Sequence, residues 1–153
     1  MNRREFIIVT AGGIISVVAG SGNMAALAAL TAKPGESGRA RVALIKTSDR
    51  ASGIKRAIEL LGVNPVEGKD VLLKPNFNTA DPFPASTHND TLTHLILKMK
   101  DMGAKTITIG ERSGPPHTSD VIREKGVADL SRRLGVKLLN FEELPPEGWV
   151  RVR

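Results

Sequence analysis

The chain has 153 residues, of which 41% are hydrophobic, 25% charged and only 3% aromatic, with no Tyr and no Cys. The lack of Cys excludes a disulfide, a thiolate nucleophile, a Cys-ligated iron–sulfur cluster or a Cys zinc site supplied by this chain. The net charge of +6 comes from Lys and Arg scattered among acids, which reads as a solvated mixed-charge surface, and no nucleic-acid partner is expected. The scarcity of aromatics also removes a stacking platform for single strands.

Residues 1–28 read as an export signal, residues 29–40 as a linker and residues 41–153 as one α/β domain. Arg3 and Arg4 form the charged start, Phe6 to Ala19 is an apolar run, and Ala26-Leu27-Ala28 is a small-residue cleavage site. Asn2-Arg3-Arg4-Glu5-Phe6-Ile7 has the twin-arginine pattern, and Thr10, Gly12, Gly13 and Ser16 keep the run only mildly apolar. Such a leader implies the twin-arginine translocation machinery as a partner and a periplasmic or otherwise exported location. A spanning helix needs about 20 predominantly apolar residues, so cleavage is the expectation. An uncleaved signal acting as a tether is the alternative and the one route to a membrane. Cargo of this route often carries a cofactor or travels with a partner, but the leader identifies neither.

Thr31 to Arg39 is polar and bears Gly and Pro, as a linker does. Arg41 to Thr47 then predicts a buried strand through Val42, Ala43, Leu44 and Ile45. Asp49 or Ser48 caps a helix whose stripe is Ile54, Ala57, Ile58 and Leu61, ended by Gly62. Asp70 to Lys74 is a second strand, followed by a loop with Pro75, Pro82 and Pro84. Thr87, with Asp90 three residues on, predicts the cap of a helix striped by Leu92, Leu95, Ile96, Met99 and Met102 and ended by Gly103. Thr106 to Ile109 is the third strand. Short helices follow from Ser119 to Gly126 and through Val127, Leu130 and Leu134 to Gly135, and Val136 to Phe141 is the fourth strand. Short apolar strands alternating with amphipathic helices predict an α/β fold with a mostly parallel sheet of four or five strands and flanking helices. Trp149 to Arg153 alternates like a strand, so an incomplete domain that needs a further element is also expected.

In open parallel sheets, ligands bind beyond the carboxyl ends of the strands. That rule selects Lys46 to Asp49, then Lys74, Asn76 and Asn78, then Gly110 to Gly114, then Asn140, Glu142 and Glu143. Lys74 with free N–H groups at the next helix start would suit a carboxylate or phosphate, although Asn76 and Asn78 can equally satisfy loop backbone. Gly110-Glu111-Arg112-Ser113-Gly114-Pro115-Pro116 lacks the ending of a phosphate-binding loop. Glu111 and Arg112 could act as an acid/base or clamp pair, or Glu111 could pair with a lysine structurally. His88 lies at this edge, whereas Asp90 and His94 share a helix face and read as a solvent-facing pair. His88 and Glu111, with Asp81, are a conceivable metal set without a recognisable spacing. No Gly-x-Ser-x-Gly elbow or dinucleotide fingerprint is present.

Lys74-Pro75-Asn76, Ser86-Thr87-His88, Met102-Gly103-Ala104-Lys105 and Gly110-Glu111-Arg112-Ser113-Gly114 together resemble the domain of unknown function 362 family, from Val42 to about Val152. The resemblance implies a domain that runs beyond this length, members that are exported or accompany ferredoxin-like iron–sulfur segments, and recurrent residues at Lys74, Asn76, His88, Glu111 and Ser113. It implies no settled activity.

The expected function is an exported domain with an enzyme-like site for a small anionic ligand, with metal assistance an open question. Lys74 would hold the anion, Asn76 and Asn78 would orient it with Arg112 and Ser113 beside it, and His88 and Glu111 would act as acid/base groups or metal ligands. The other readings are a non-catalytic accessory module for a redox or iron–sulfur partner, and a truncated, non-functional product.

Overall fold

A computed structural model describes residues 42–149 of the chain and the backbone of residues 5–10 and 14–19. The linker, the cleavage site, Arg3 and Arg4, and the end of the expected last strand lie outside the described residues. The elements in chain order are β1 (Glu5–Thr10), β2 (Ile14–Ala19), α1 (Arg50–Leu61), β3 (Asp70–Lys74), α2 (Asn89–Asp101), β4 (Thr106–Glu111), α3 (Thr118–Glu124), α4 (Val127–Leu134) and β5 (Lys137–Asn140). Two short 3₁₀ turns, Phe141–Glu143 and Pro146–Gly148, follow.

The centre of the fold is a parallel sheet of β3, β4 and β5 with flanking helices, the expected α/β arrangement. Val71 faces Ile107, Leu73 faces Ile109, and Gly110 faces Leu139. The outer edge of β3 pairs antiparallel with β2, which pairs with β1. Because side chains alternate along a strand, Val71, Leu73, Ile107 and Ile109 share a buried face. Leu92, Leu95, Ile96 and Met99 on α2, Val121 and Ile122 on α3, and Val127 and Leu130 on α4 complete that core. These are the stripes that the 3.6-residue period marks. Aliphatic side chains supply all of this core except Phe77, as the scarcity of aromatics requires.

Local signals explain most boundaries. Asp49 caps α1 by accepting from Ala51 N at 3.0 Å, and Gly62 closes it in the left-handed region at φ 66°. Gly135 closes α4 in the same way at φ 59°.

Three expectations are corrected. Residues 42–47 form no strand: Val42 and Leu44 are 82% and 91% exposed, and β2 holds the edge of β3 that such a strand would take. Lys46 to Asp49 therefore do not sit at a strand end. The cap of α2 is His88, whose Nδ1 accepts from Asp90 N at 3.1 Å. Thr87 is occupied elsewhere, its hydroxyl accepting from Asn76 N at 2.9 Å. Finally, β4 runs two residues past Ile109, to Glu111, because its ladder to β5 continues through Gly110 and Glu111.

Gly110 is required by close approach: an added Cβ would strike the Phe141 ring and lie 2.7 Å from Leu72 Cδ1. Gly110→Ala is therefore expected to cost about 1–3 kcal/mol in urea denaturation, as overpacking does. Gly148→Ala, whose nearest neighbour would be Leu144 Cβ at 3.4 Å, should stay within about 0.5 kcal/mol.

Candidate functional site at the carboxyl ends of β3 and β4

The alternation that buries Ile107 and Ile109 places Glu111 on the same face, and it is only 1% exposed. A buried carboxylate must find donors. Lys74, at the end of β3, donates from Nζ to Oε1, which also accepts from Arg112 N at 2.8 Å, while Oε2 accepts from Phe77 N at 3.0 Å. Burial pushes the Glu111 carboxyl above the ordinary glutamate range, while the Lys74 ammonium and the two amides pull it back.

These bonds extend the β3–β4 pairing into both loops. Ser113 Oγ donates to Phe77 O at 2.8 Å, Gly114 N donates to Asn78 O at 2.9 Å, and Ser113 N donates to Thr118 Oγ1 at 2.9 Å. Gly114 lies so close to Asn78 that a Cβ there would be 2.9 Å from the amide carbon. Asn76 is bound into its own loop: its N–H and C=O both pair with Thr87, and its side-chain amide reaches Ala85 O at 3.4 Å.

What remains at this edge is a small set of outward groups. Lys74 keeps 38% of its side chain exposed. Asn78 and Arg112 are exposed, and among the described residues their side chains make no hydrogen bond or ion pair. The structure thus brings Lys74, Glu111, Arg112, Ser113, Asn76 and Asn78 into one pair of loops.

His88 is placed apart from Lys74 and Glu111 in its contacts. It caps α2, lies 3.5 Å from the Asp90 carboxylate and meets Phe83 edge-on with centroids 6.2 Å apart. Its Nδ1 accepts, so in the neutral ring Nε2 carries the proton. The cap also occupies the helix start that was expected to be free for an anion. Asp90 faces His88 and makes no ion pair with His94. Among the described residues, no group of three His, Asp or Glu side chains is placed to hold a metal ion.

After β5, Glu142 takes up the start of α3, accepting from Thr118 N at 2.7 Å with His117 Nδ1 at 3.3 Å. The Thr118 bonds and His117 hold its carboxyl below the ordinary range.

Lys125 is not among the site candidates that the sequence offers. Its Nζ donates to Ser86 Oγ at 2.6 Å and to Asp81 O at 3.4 Å and lies 4.9 Å from the Phe77 ring centroid. Asn89 donates to Lys125 O at 2.7 Å. Burial pushes the Lys125 ammonium down, with Asp81 acting against it. The lysine fastens the proline-rich loop to the end of α3, a contact across 39 residues that no local pattern announces.

Residues 71–152 match the family described as a domain of unknown function, DUF362. The chain belongs to the DUF362 family. No curated protein and no solved structure matches it. The match begins within β3 and covers every later element, so both loops of the candidate site lie within the DUF362 region.

Truncating Glu111 to Ala leaves the buried Phe77 amide and the part-buried Arg112 amide without acceptors, and a loss of about 2–4 kcal/mol is expected in chemical denaturation. Lys74→Met leaves the carboxylate buried without its cation and raises its folded pKa further. A raised folded pKa contributes stability that is full below the unfolded value and is lost as pH rises through the folded one. The Lys74→Met protein should therefore lose more stability than wild type as pH rises through and above the ordinary glutamate range; parallel pH curves for the two proteins would contradict the assignment.

Proposed function

We propose that this DUF362 chain is an exported α/β domain that binds a small anionic ligand, a carboxylate or a phosphate, at the carboxyl ends of β3 and β4. One observation carries this reading: the Arg112 guanidinium and the Asn78 amide stand exposed without partners among the described residues on two loops that a buried carboxylate locks together. Preorganised groups lose less entropy on binding, and a guanidinium can meet a carboxylate or phosphate with two parallel bonds.

In this arrangement Arg112 supplies the charge, Asn78 orients the ligand and the exposed part of Lys74 adds a second cation. Glu111 is a positioning residue, since it is buried and its carboxylate is bound by Lys74 and two loop amides. His88 caps the start of α2 through Nδ1, which leaves its Nε2–H as the acid/base candidate for a ligand that spans the loop. Export rests on Arg3, Arg4, the mild apolar run and the Ala26-Leu27-Ala28 site.

Thermal unfolding of the full chain with added phosphate and with small dicarboxylates tests the ligand reading. An upward shift that grows with ligand concentration is expected, and Arg112→Ala should abolish it without changing the melting temperature of the free protein. No shift with either ligand class would overturn the proposal. Export is tested separately by Arg3→Lys/Arg4→Lys, which should leave the uncleaved precursor inside the cell. Unchanged export of that variant would remove the twin-arginine reading and leave the ligand site standing.

A further inference from the structure

The edge of β3 and the exposed segment before α1 fit each other. Residues 42–46 read Val-Ala-Leu-Ile-Lys, a continuous aliphatic run of the kind that central parallel strands carry. Yet Val42 and Leu44 are 82% and 91% exposed. Leaving a large aliphatic side chain in water forgoes about 1.5–3 kcal/mol relative to burial. The segment has the same length as β3, five residues, and it leads straight into α1. Its C-terminal end is already fixed: Asp49 N donates to Thr47 Oγ1 at 3.0 Å, and Thr47 Cγ2 sits so close to Gly53 that a Cβ there would be 2.6 Å away. Residues 47–69, with α1 inside them, are long enough for the crossover that joins two neighbouring parallel strands, which needs about a dozen residues.

The position beside β3 is held by β2, residues 14–19, through an antiparallel ladder from Ser16–Lys74 to Ala19–Val71. Those residues belong to the apolar part of the leader. We infer that the leader occupies the edge of β3 as a placeholder, and that on its removal residues 42–46 take that edge as a parallel strand and complete a right-handed β–α–β unit. The exchange would bury Val42 and Leu44 and cap an edge that is otherwise open to pairing with other chains. It rests on the reading of residues 1–28 as a removable leader, but its test does not require the cell to export the protein.

The full chain is prepared with a specific protease site inserted after Ala28, and backbone hydrogen exchange is followed before and after cleavage. In the intact chain the amides of residues 42–46 should exchange as open coil. After cleavage and release of the leader they should gain protection of at least about a hundredfold, with β4 and α2 unchanged. A second variant makes the result independent of local protection alone. Leu44→Asp should leave the melting temperature of the intact chain unchanged, because Leu44 is exposed there, and should lower that of the cleaved chain. The inference is overturned if residues 42–46 are protected before cleavage, if they stay unprotected after it, if the cleaved leader remains bound, or if the cleaved domain unfolds. Failure of the Arg3→Lys/Arg4→Lys test with success here would reject the export route and leave the exchange in place.

Discussion

A single buried carboxylate organises the ligand-facing end of this domain. Glu111 continues the inward face of β4 and so lies where water cannot reach it. An ionised carboxylate in that position is tolerable only if fixed donors replace its hydration. Lys74 and the amides of Phe77 and Arg112 do so. Because those donors come from two different loops, satisfying one side chain fixes both loops relative to the sheet. The backbone bonds of Ser113 and Gly114 to residues 77 and 78 then follow as an extension of the ladder.

This arrangement separates groups that support the structure from groups left for a ligand. Asn76, Thr87, Ser86 and Lys125 satisfy one another or the loop backbone, and the Phe77 ring is held between the core and the Lys125 ammonium. With so many bonds crossing between β3, β4 and the start of α3, the loop tips have little freedom to rearrange. The outward side chains of Arg112 and Asn78 are therefore presented from a stiff frame, where recognition depends on geometry already in place. The same physics makes Glu111 a poor candidate for direct chemistry, since its oxygens are consumed by the scaffold.

The helices were legible because period, caps and Gly stops agreed. The Ile54–Ile58 stripe with Asp49 and Gly62 gives α1, and the Leu92–Met99 stripe gives α2. The site was legible as an edge, because β3 and β4 could be placed and a parallel sheet directs ligands to its carboxyl ends. The pairing of Lys74 with Glu111 had a readable trace: Glu111 stands two residues after Ile109, in the alternation of a buried strand. Other features had none. The choice of His88 over Thr87 as the cap depends on Thr87 being drawn to Asn76, eleven residues away. The role of Lys125 depends on contacts with Ser86 and Phe77, far off in the chain. The exposure of residues 42–45, which read as a buried strand, depends on which segment holds the edge of β3.

Taken alone, then, the sequence determined the helices, the three parallel strands, the class of fold and the edge at which polar groups gather, because each of these follows from local periodicity and short-range stereochemistry; the family rested on motif resemblance instead. The tertiary structure alone decided which polar groups neutralise one another and which remain free, and which apolar segment pairs with the outer strand. Those outcomes are competitions between residues distant in the chain. They are settled by burial and by the supply of donors in three dimensions, which a one-dimensional pattern does not contain.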